Sequence, residues 1–475
     1  MNKKDKEKKK FSISKYLVTR KISNDYVFVY NSLYINSRIL HIKDFDKIRD
    51  ICNFTEKECL ERLDKNSFME FIKLKYIVDS NTNERETIQE ELKRRKQKLS
   101  SGCFFQRMHL STTNGCNMNC EYCFCKNFEY KDTSVNNTGI RFPVEKMSLD
   151  VAEKAMLEAI KVIKSNKNSE LSIEFFGGEP LLNYKMIIEV LNKFKNGEDY
   201  GIHISYGVTT NGTYIVDEII EVFYKYKVSV AISIDYIDYE TGTFRGEGTS
   251  SYNWAVIDEN IKKLINNDIR VKFQSVLSEQ TWSKNIFNLI EYASENRIFS
   301  LGLILSFDFS FYSTYRPEMI IEKIKNIYYY CKDNNVLLTG YWKLSFEGLI
   351  NPDEWNERRD WKTCPTIGRL LSIEPNGDVY ACKTTARKMG NINRFKEIFQ
   401  DDNYQYYAMR AYSNSKDCEG CEIEGVCSGN CAGAVENQYK DIRKMNTNYC
   451  RTVRGIIRFL LEDYLKTVDI GELEE

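Results

Sequence analysis

Histidine and an excess of either charge are what this chain most lacks. It has 3 histidines in 475 residues (His41, His109 and His203), so chemistry built on imidazole is poorly supplied. Lysine plus arginine equals aspartate plus glutamate at 68 each, which predicts neither nucleic acid nor a membrane surface as a partner. No apolar run approaches membrane-spanning length, and the basic start MNKKDKEKKK has no apolar stretch behind it. We therefore expect a cytoplasmic protein.

Cysteine, in contrast, is abundant. In a reducing compartment, cysteines of a long chain are more often metal ligands than disulfide partners. Of the 15 cysteines, ten fall into patterned groups, and the other five are Cys52, Cys59, Cys103, Cys125 and Cys331. We interpret Cys52 and Cys59 as core thiols. Cys125, two residues past the first group, is interpreted as a buried thiol, and a role near the active site is left open.

Hydrophobic periodicity divides the chain into regions. Residues 1–12 are predicted to be a disordered basic tail, and 13–100 a small α+β domain that ends in a charged segment. From 101 to 315 strands and helices alternate, which requires parallel strands with right-handed crossovers. We therefore predict an α/β fold built on a partial (β/α)6 TIM-like barrel. The remaining predicted regions are a bridging region at 316–360, a cysteine-rich domain at 361–455, and a C-terminal helix and tail at 456–475.

The barrel strands are predicted from short runs rich in β-branched and aromatic residues. They are RMHLSTT, LSIEFF, HISYGVTT, VSVAISI, IRVKFQSV and LGLILSF. Helical patterns such as VAEKAMLEAIKVIK and AVIDENIKKLINN lie between them. Functional residues are expected where these strands end and loops begin.

The first cysteine group follows the first barrel strand directly. The run CNMNCEYC places Cys116, Cys120 and Cys123 in one tight loop. A four-iron cluster needs four ligands, usually thiolates, so three would leave one iron open to an amino acid that chelates through amine and carboxylate. The alternatives are a zinc knuckle or buried thiols, although three cysteines do not supply four tetrahedral ligands.

This loop resembles the CxxxCxxC cluster loop of the radical S-adenosylmethionine (radical SAM) superfamily, including an aromatic residue, Tyr122, before the last cysteine. The resemblance implies a [4Fe-4S] cluster at the triad that binds S-adenosyl-L-methionine. It also implies reductive cleavage of that cofactor to a 5′-deoxyadenosyl radical, which abstracts hydrogen from a substrate. A reductant such as flavodoxin or ferredoxin is then required.

The second strand ends in Gly177, Gly178, Glu179 and Pro180. Two glycines let backbone approach a ligand closely, and the carboxylate that follows is able to pair with a cationic amine. On its own, this sequence is an ordinary turn. The radical SAM resemblance implies that the GGEP motif contacts the amino group of the cofactor's methionine.

Polar residues at later strand ends are less specific. Thr209 and Asn211 end the third strand, Ser233 ends the fourth, and Arg245 lies in the next loop, placed to pair with a carboxylate. By the resemblance, a serine and an arginine at such positions hold the carboxylate of the cofactor. Ordinary turn chemistry explains each of these residues equally well.

Seven further cysteines near the C-terminus resemble the SPASM domain signature, which implies two auxiliary iron–sulfur clusters, expected to be [4Fe-4S]. The implied ligands of the outer cluster are Cys418, Cys421, Cys427 and Cys450. The implied ligands of the inner cluster are Cys364, Cys382 and Cys431. The alternative is a zinc-ribbon module, because paired C-x2-C patterns also suit zinc.

Two departures from the pattern bear on function. The stretch 365–371 contains no cysteine, so the inner cluster is expected to keep an open iron at which a substrate thiolate could bind. Sulfatase-maturing members have an aspartate after the second cysteine as a base, whereas Lys383 stands here, which argues against sulfatase maturation.

Residues 13–100 resemble the small winged-helix domain that grips the leader of a precursor peptide by adding a strand to an open sheet edge. The alternative is a cap that only covers the barrel.

As a whole, the chain resembles a radical SAM/SPASM maturase of ribosomally made peptides. We expect hydrogen abstraction from a peptide residue and then a cross-link, with a thioether from a cysteine sulfur as the first choice. The alternatives are carbon–carbon cross-linking or another oxidation of a peptide or protein, and a non-catalytic iron–sulfur electron carrier or zinc scaffold.

Overall fold

The computed structural model describes residues 9–124, 134–135, 141–142, 144–245, 253–352, 364–411 and 416–469. Cys125 and the first eight residues lie outside the described residues. The disordered tail was predicted to extend to residue 12, which is wrong, because a strand already begins at Lys10. Lys10 is paired with Thr55 and Phe11 with Asp79, so two later segments hold this strand in place.

The N-terminal region is an α+β unit with two small sheets. Its strands are β1 (Lys10–Ile13), β2 (Leu17–Lys21), β3 (Tyr26–Asn31), β4 (Asn36–His41), β5 (Phe54–Thr55) and β6 (Ile77–Asp79). Its helices are α1 (Ile42–Ile48), α2 (Glu56–Leu60), α3 (Lys65–Lys73) and α4 (Glu86–Leu99). The sheet orders are β5-β1-β6 and β2-β3-β4, and β3 is buried along its whole length. The winged-helix assignment stays a prediction.

The central region alternates strands and helices, as predicted. Its strands are β7 (Arg107–Thr113), β8 (Ser134–Val135), β9 (Arg141–Phe142), β10 (Glu170–Gly177), β11 (His203–Thr210), β12 (Ser229–Ser233), β13 (Val271–Leu277), β14 (Ser300–Leu305) and β15 (Leu337–Thr339). Its helices are α5 (Leu149–Ser165), α6 (Tyr184–Phe194), α7 (Asp217–Lys225), α8 (Trp254–Asn266), α9 (Phe287–Glu295), α10 (Phe311–Thr314), α11 (Pro317–Asp333) and α12 (Tyr341–Ile350). The six predicted barrel strands are confirmed, two of them to the residue.

The barrel strands have an apolar outer face and a polar inner face, because side chains alternate along a strand. On β10, Ile173 and Phe175 are fully buried against the helices, whereas Ser172 and Glu174 line the interior. Helix α5 shows the matching pattern. Ser148 caps its first turn by accepting a hydrogen bond from a backbone amide, and alanines and isoleucines at helical spacing face the sheet.

The main sheet extends beyond the predicted barrel at both sides. Its order is β15-β14-β13-β12-β11-β10-β7, followed by three strands of the cysteine-rich region, β16 (Leu370–Ile373), β17 (Asp378–Tyr380) and β18 (Lys388–Asn391). The sheet therefore continues past residue 315, where the barrel was predicted to end, and includes strands of the cysteine-rich domain predicted to begin at 361. The backbone groups at the edges of β14 and β7 need partners, and β15 and β16 supply them.

The chain then forms α13 (Asp402–Ala408), α14 (Ala432–Tyr439) and α15 (Thr447–Leu465). The boundary predicted at 456 falls inside α15, which begins at 447 because the side chain of Asn446 caps it. Among the described residues, no helix is both long enough and apolar enough to cross a membrane.

Candidate active site

The cysteine loop that follows β7 is held by the end of β10. The amide of Gly178 donates a hydrogen bond to the carbonyl of Thr113 at 2.8 Å, and the amide of Glu179 donates to the carbonyl of Gly115 at 2.9 Å. The GGEP segment therefore lies directly against the start of the loop that carries Cys116.

Glycine is required in this segment by contact with protein backbone. A Cβ on Gly177 would lie 2.2 Å from the carbonyl oxygen of Thr113, and one on Gly178 would lie 2.2 Å from that of Gly115. Gly177 also has φ near +150°, which disfavours other residues. The sequence suggested close approach to a ligand, whereas the structure shows the two backbones approaching each other.

Glu179 is 1% exposed, and its carboxylate accepts three hydrogen bonds from the protein. The donors are Oγ1 of Thr210 at 2.7 Å and the amides of Asn211 at 2.7 Å and Leu181 at 3.0 Å. Burial raises the pKa of Glu179, and these donors lower it. The carboxylate therefore ties β10 to β11, and its predicted pairing with a cationic amine stays a prediction. Pro180 begins the short 3-10 helix that follows.

Asn211 supports the cysteine loop from the end of β11. Its Nδ2 donates to Oδ1 of Asn117 at 2.8 Å, while Thr213 bonds both asparagines. The side chain of Asn211 thereby holds the stretch between Cys116 and Cys120. Its neighbour Thr209 points into the barrel and donates to Glu174 at 2.6 Å.

Tyr122, Asp235 and Arg245 form one buried polar cluster. The phenol of Tyr122 donates to the carboxylate of Asp235 and accepts from Nε of Arg245 at 2.9 Å. Asp235 is 3% exposed, and its other oxygen accepts from the amide of Val276 at 2.8 Å. Arg245 is thus positioned beside the triad, with Ser233 on the same cavity wall.

A cavity of about 740 Å³ opens beside the triad and is lined by residues from both ends of the barrel strands. Its wall includes the triad thiols of Cys116, Cys120 and Cys123, together with Cys382 and Cys431 from the C-terminal region. It also includes most of the predicted cofactor residues, namely Tyr122, Gly177, Gly178, Glu179, Thr209, Asn211, Ser233 and Arg245. Three thiols with open space beside them fit a cluster that has one free coordination position.

Family models and relatives agree with this geometry. A model described as "Radical SAM superfamily" matches residues 110–289, and one described as "Iron-sulfur cluster-binding domain" (SPASM) matches 364–422. The radical SAM cyclopropyl synthase TigE of Paramaledivibacter caminithermalis is 32% identical over 463 residues, which is 95% of each chain. This chain belongs to the radical SAM superfamily.

Solved radical SAM structures share the fold. Native anSMEcpe with bound AdoMet has a TM-score of 0.57 at 18% identity, over 76% of this chain and 98% of its own. Streptococcus suis SuiB bound to precursor peptide SuiA has a TM-score of 0.54 at 16% identity, over 93% of this chain and 99% of its own. The predicted cofactors, S-adenosyl-L-methionine and iron–sulfur clusters, are those of this superfamily and of the SPASM domain.

The cysteines of the SPASM region lie in the two groups that the resemblance implied. Burial, together with the neighbouring Cys382 and Cys364, raises the pKa of Cys431 to about 11. Burial likewise raises the pKa of Cys450 to about 12, and its neighbours there are Cys427, Cys418 and Cys421. In the described part of the chain, no three side chains are gathered as the ligands of one metal ion would be. The assignment of these thiols as cluster ligands stays a prediction.

The outer cysteine group lies against the N-terminal unit of this radical SAM chain. The amide of Gly425 donates to the carbonyl of Ser32 at 2.7 Å. Glu422, next to Cys421, bonds Arg20 on β2 and Arg458 on α15. Arg85 bonds the buried Glu424 at 2.7 Å. The N-terminal unit is therefore fastened to the loop between Cys421 and Cys427.

Sequence reasoning missed the polar residues of the barrel interior. Ser172, Glu174, Lys272 and Gln274 line the cavity below the triad. The sequence did contain a signal for them, because apolar and polar residues alternate over LSIE at 171–174 and over VKFQ at 271–274. Lys383, considered only for sulfatase chemistry, also lines this cavity, with Nζ 3.0 Å from the ring centroid of Phe176.

Proposed function

We propose that this radical SAM/SPASM enzyme abstracts a hydrogen from one residue of a precursor peptide and closes a carbon–carbon bond, giving a ring within that residue. The observation that carries the proposal is that one cavity joins the triad thiols to Cys382 and Cys431. The name of TigE, which resembles this chain over 95% of its length, supports a cyclopropane as the product.

The proposed reaction has a simple balance. Forming a bond between two carbons of a peptide removes two hydrogens, one as an atom and one as a proton with an electron. S-adenosyl-L-methionine, when bound at the triad, supplies the 5′-deoxyadenosyl radical that takes the atom. The electron needs an acceptor on the other side of the substrate, and Cys364, Cys382 and Cys431 are the residues that would hold it.

The chain's own residues would position the cofactor. Cys116, Cys120 and Cys123 would hold the cluster, and the backbone of Gly177–Pro180 borders the place where the methionine would lie. Arg245, oriented by Tyr122 and Asp235, would bind the carboxylate of the cofactor, with Ser233 beside it. A flavodoxin or ferredoxin in the cytoplasm would supply the reducing electron.

The N-terminal unit would bind the leader of the precursor. SuiB, which has a similar fold over 93% of this chain, was solved with its precursor peptide. The sheets β5-β1-β6 and β2-β3-β4 both have outer strands to which an extended peptide could add. The contacts of Gly425 and Glu422 would then keep the bound leader close to the SPASM domain.

A thioether is the second candidate. It is favoured by the inner group, which contains three thiols and no further cysteine in residues 365–371. An open iron there would bind a substrate thiolate. Both reactions remove two hydrogens, but only a thioether consumes a cysteine of the peptide.

The test uses anaerobic holoenzyme, reductant, S-adenosyl-L-methionine and the precursor peptide encoded beside the gene. We expect 5′-deoxyadenosine and loss of two hydrogens per modified residue by mass spectrometry. Alkylation with iodoacetamide after the reaction separates the candidates, because a ring leaves every peptide thiol free and a thioether removes one. Holoenzyme without 5′-deoxyadenosine, or a product equally abundant with the C116A/C120A/C123A variant, would contradict the proposal.

A further inference from the structure

The wall of the barrel cavity contains a carboxylate of which the protein uses only one oxygen. Glu174 lies in the middle of β10, three residues before Gly177, and lines the cavity. Its Oε1 accepts a hydrogen bond from Oγ1 of Thr209 at 2.6 Å. Its Oε2 has no hydrogen-bond donor among the described residues, and it does not belong to the unpartnered atoms that are sealed from water. Oε2 therefore opens into the cavity.

The neighbouring strand β11 fixes the position of this carboxylate. Gly207 is the register partner of Glu174, and a Cβ on Gly207 would lie 2.2 Å from Oε2. The carboxylate thus occupies the space that a side chain at 207 would take. Thr209, two residues further along the same face of β11, holds it there. Because the side chain of Glu174 is already ordered, it loses little further conformational freedom when it binds a ligand.

The charges around Glu174 favour an uncharged partner for Oε2. On its other side, the register partner of Glu174 is His109 on β7. Burial is the main cause of the low pKa of His109, but the cations of Lys383 and Arg107 lower this pKa as well, so both act on this part of the wall. A cationic side chain brought to Glu174 would meet these like charges. Since a carboxylate only accepts hydrogen bonds, the group that suits Oε2 is an uncharged N–H or O–H.

The depth of Glu174 in the barrel favours a backbone group. Three residues of a strand span about 10 Å, so Glu174 lies about that far along β10 from Gly177, where the segment that borders the proposed methionine site begins. A peptide that reaches this depth brings its backbone N–H groups away from water, and each of them needs an acceptor. Every residue except proline supplies such an N–H, whereas only a few side chains supply a hydroxyl.

We propose that Glu174 is a positioning residue for the substrate, and that its free carboxylate oxygen accepts a hydrogen bond from a backbone N–H of the precursor peptide, either of the modified residue or of the residue after it. The inference rests on the proposed function, since it requires a peptide substrate. The contact holds the peptide backbone in one register, so that one residue faces the triad end of the cavity.

Two substitutions test this contact in the holoenzyme. Glu174→Gln keeps an oxygen for Thr209 but places an NH2 donor where Oε2 was. We expect it to raise the KM for the precursor peptide about ten- to a hundredfold, the size of one lost hydrogen bond to a charged group, with 5′-deoxyadenosine in excess over product. Gly207→Ala keeps the charge but displaces the carboxylate, which is the flexible end of a side chain. We expect a several-fold rise in the peptide KM. The KM for S-adenosyl-L-methionine and the Tm should stay unchanged in both variants.

The matched control is Glu170→Gln, at the exposed start of the same strand, which should leave the peptide KM unchanged. A wild-type peptide KM in Glu174→Gln would overturn the proposal and leave water as the partner of Oε2. A lower kcat at an unchanged KM would also overturn it, because Glu174 would then serve in proton removal. An equal rise in the KM for peptide and for cofactor would overturn it as well, since the role would be structural.

The donor is identified with precursor peptides in which one backbone amide at a time is replaced by an ester, at the modified residue and at the residue after it. An ester has no N–H. With the wild type we expect one of these esters to raise the KM about tenfold, and with Glu174→Gln the same ester should change the KM less than about threefold, because the contact is already lost. Equal ester effects in the two enzymes would overturn the assignment of a backbone N–H. Failure of the proposed function looks different, because the wild type would then leave the all-amide peptide unmodified.

Discussion

Nε of Arg245 donates a hydrogen bond to the phenol oxygen of Tyr122 at 2.9 Å. Tyr122 lies between two cysteines of the triad, and Arg245 lies 123 positions later in the chain. The same phenol donates to Asp235, so one hydroxyl group connects the cluster loop to the end of β12 and to the loop after it. We propose that the guanidinium of Arg245 binds the carboxylate of the cofactor. That guanidinium is therefore oriented by Tyr122, a residue of the cluster loop itself.

Tyr122→Phe should weaken the binding of S-adenosyl-L-methionine. The change removes one bond to Arg245 and one to Asp235, and leaves these two 3.9 Å apart. Loss of one such bond is worth about 1 to 2 kcal/mol, so we expect the KM for the cofactor to rise about tenfold with an unchanged iron content. The control is Tyr224→Phe, an exposed tyrosine on α7. A cofactor KM equal to that of the wild type would contradict the role of Tyr122.

Gly178→Ala should separate the GGEP segment from the cluster loop. The added Cβ would lie 2.2 Å from the carbonyl oxygen of Gly115, and neither backbone has a flexible side chain that could yield. We expect the free energy of unfolding to fall by about 1 to 3 kcal/mol. We also expect the triad to lose its cluster, which lowers the iron content by about four atoms per chain. Thermal unfolding and iron assays measure the two effects.

The matched control for this change is Gly302→Ala on β14. There the nearest atoms to an added Cβ are 3.5 Å away, which is ordinary contact. The control should keep its iron and its Tm. If both variants kept full iron content, the tight approach of Gly178 to Gly115 would not matter for the triad.

Glu422→Gln should loosen the N-terminal unit. The carboxylate of Glu422 is 16% exposed and bonds both Arg458, at 2.6 Å, and Arg20. Neutralising it leaves two cations without their partner, and we expect a loss of about 1 to 2 kcal/mol, between the values for surface and buried pairs. Thermal unfolding and limited proteolysis of the N-terminal unit measure this.

Glu397→Gln serves as the control, because its ion pair with Arg394 spans 3.7 Å at an exposed site and should contribute almost nothing. An equal change of Tm in the two variants would show that Glu422 does not fasten the N-terminal unit.

His109 should make stability depend on pH. The unfolded chain takes up a proton below about pH 6.5, whereas folded His109, with its pKa near 3, does not. Stability is therefore lost as the pH falls from 6.5 towards 3, by about 1.4 kcal/mol at pH 5.5 relative to pH 8. The urea midpoint of the wild type should fall accordingly, and that of His109→Asn should fall less. Since every other group is common to the two proteins, equal slopes would refute a depressed pKa of His109.

The secondary structure of the barrel was predictable because it depends on local patterns. RMHLSTT and HISYGVTT form β7 and β11 at the predicted residues, and the helices between the strands follow their apolar periodicity. The charged segment that ends the predicted N-terminal domain forms helix α4, which begins at Glu86. The N-terminal strand was missed because the partners that hold β1 lie more than 40 residues away.

The sequence also predicted which residue types make up the site. Three cysteines in one loop, the GGEP segment and seven later cysteines led to the superfamily and to the SPASM domain, which the matches to residues 110–289 and 364–422 confirm. The hydrogen-bond partners of the site's side chains could not be predicted from the sequence. Nothing in the sequence indicated that Glu179 accepts hydrogen bonds from Thr210 and Asn211 at the end of β11, the strand that lies in parallel register beside β10.

What the sequence determined by itself was local: which segments are strands and helices, and which thiols are available for clusters. The periods of 2 and 3.6 residues and the spacing of ligands are properties of short segments, so they are visible without a structure. The tertiary structure alone decided that β15 and β16 extend the sheet, that Arg245 meets Tyr122, and that Ser372 lies in register with His109. These contacts join residues far apart in the chain, and they depend on strand register and on how the elements pack together.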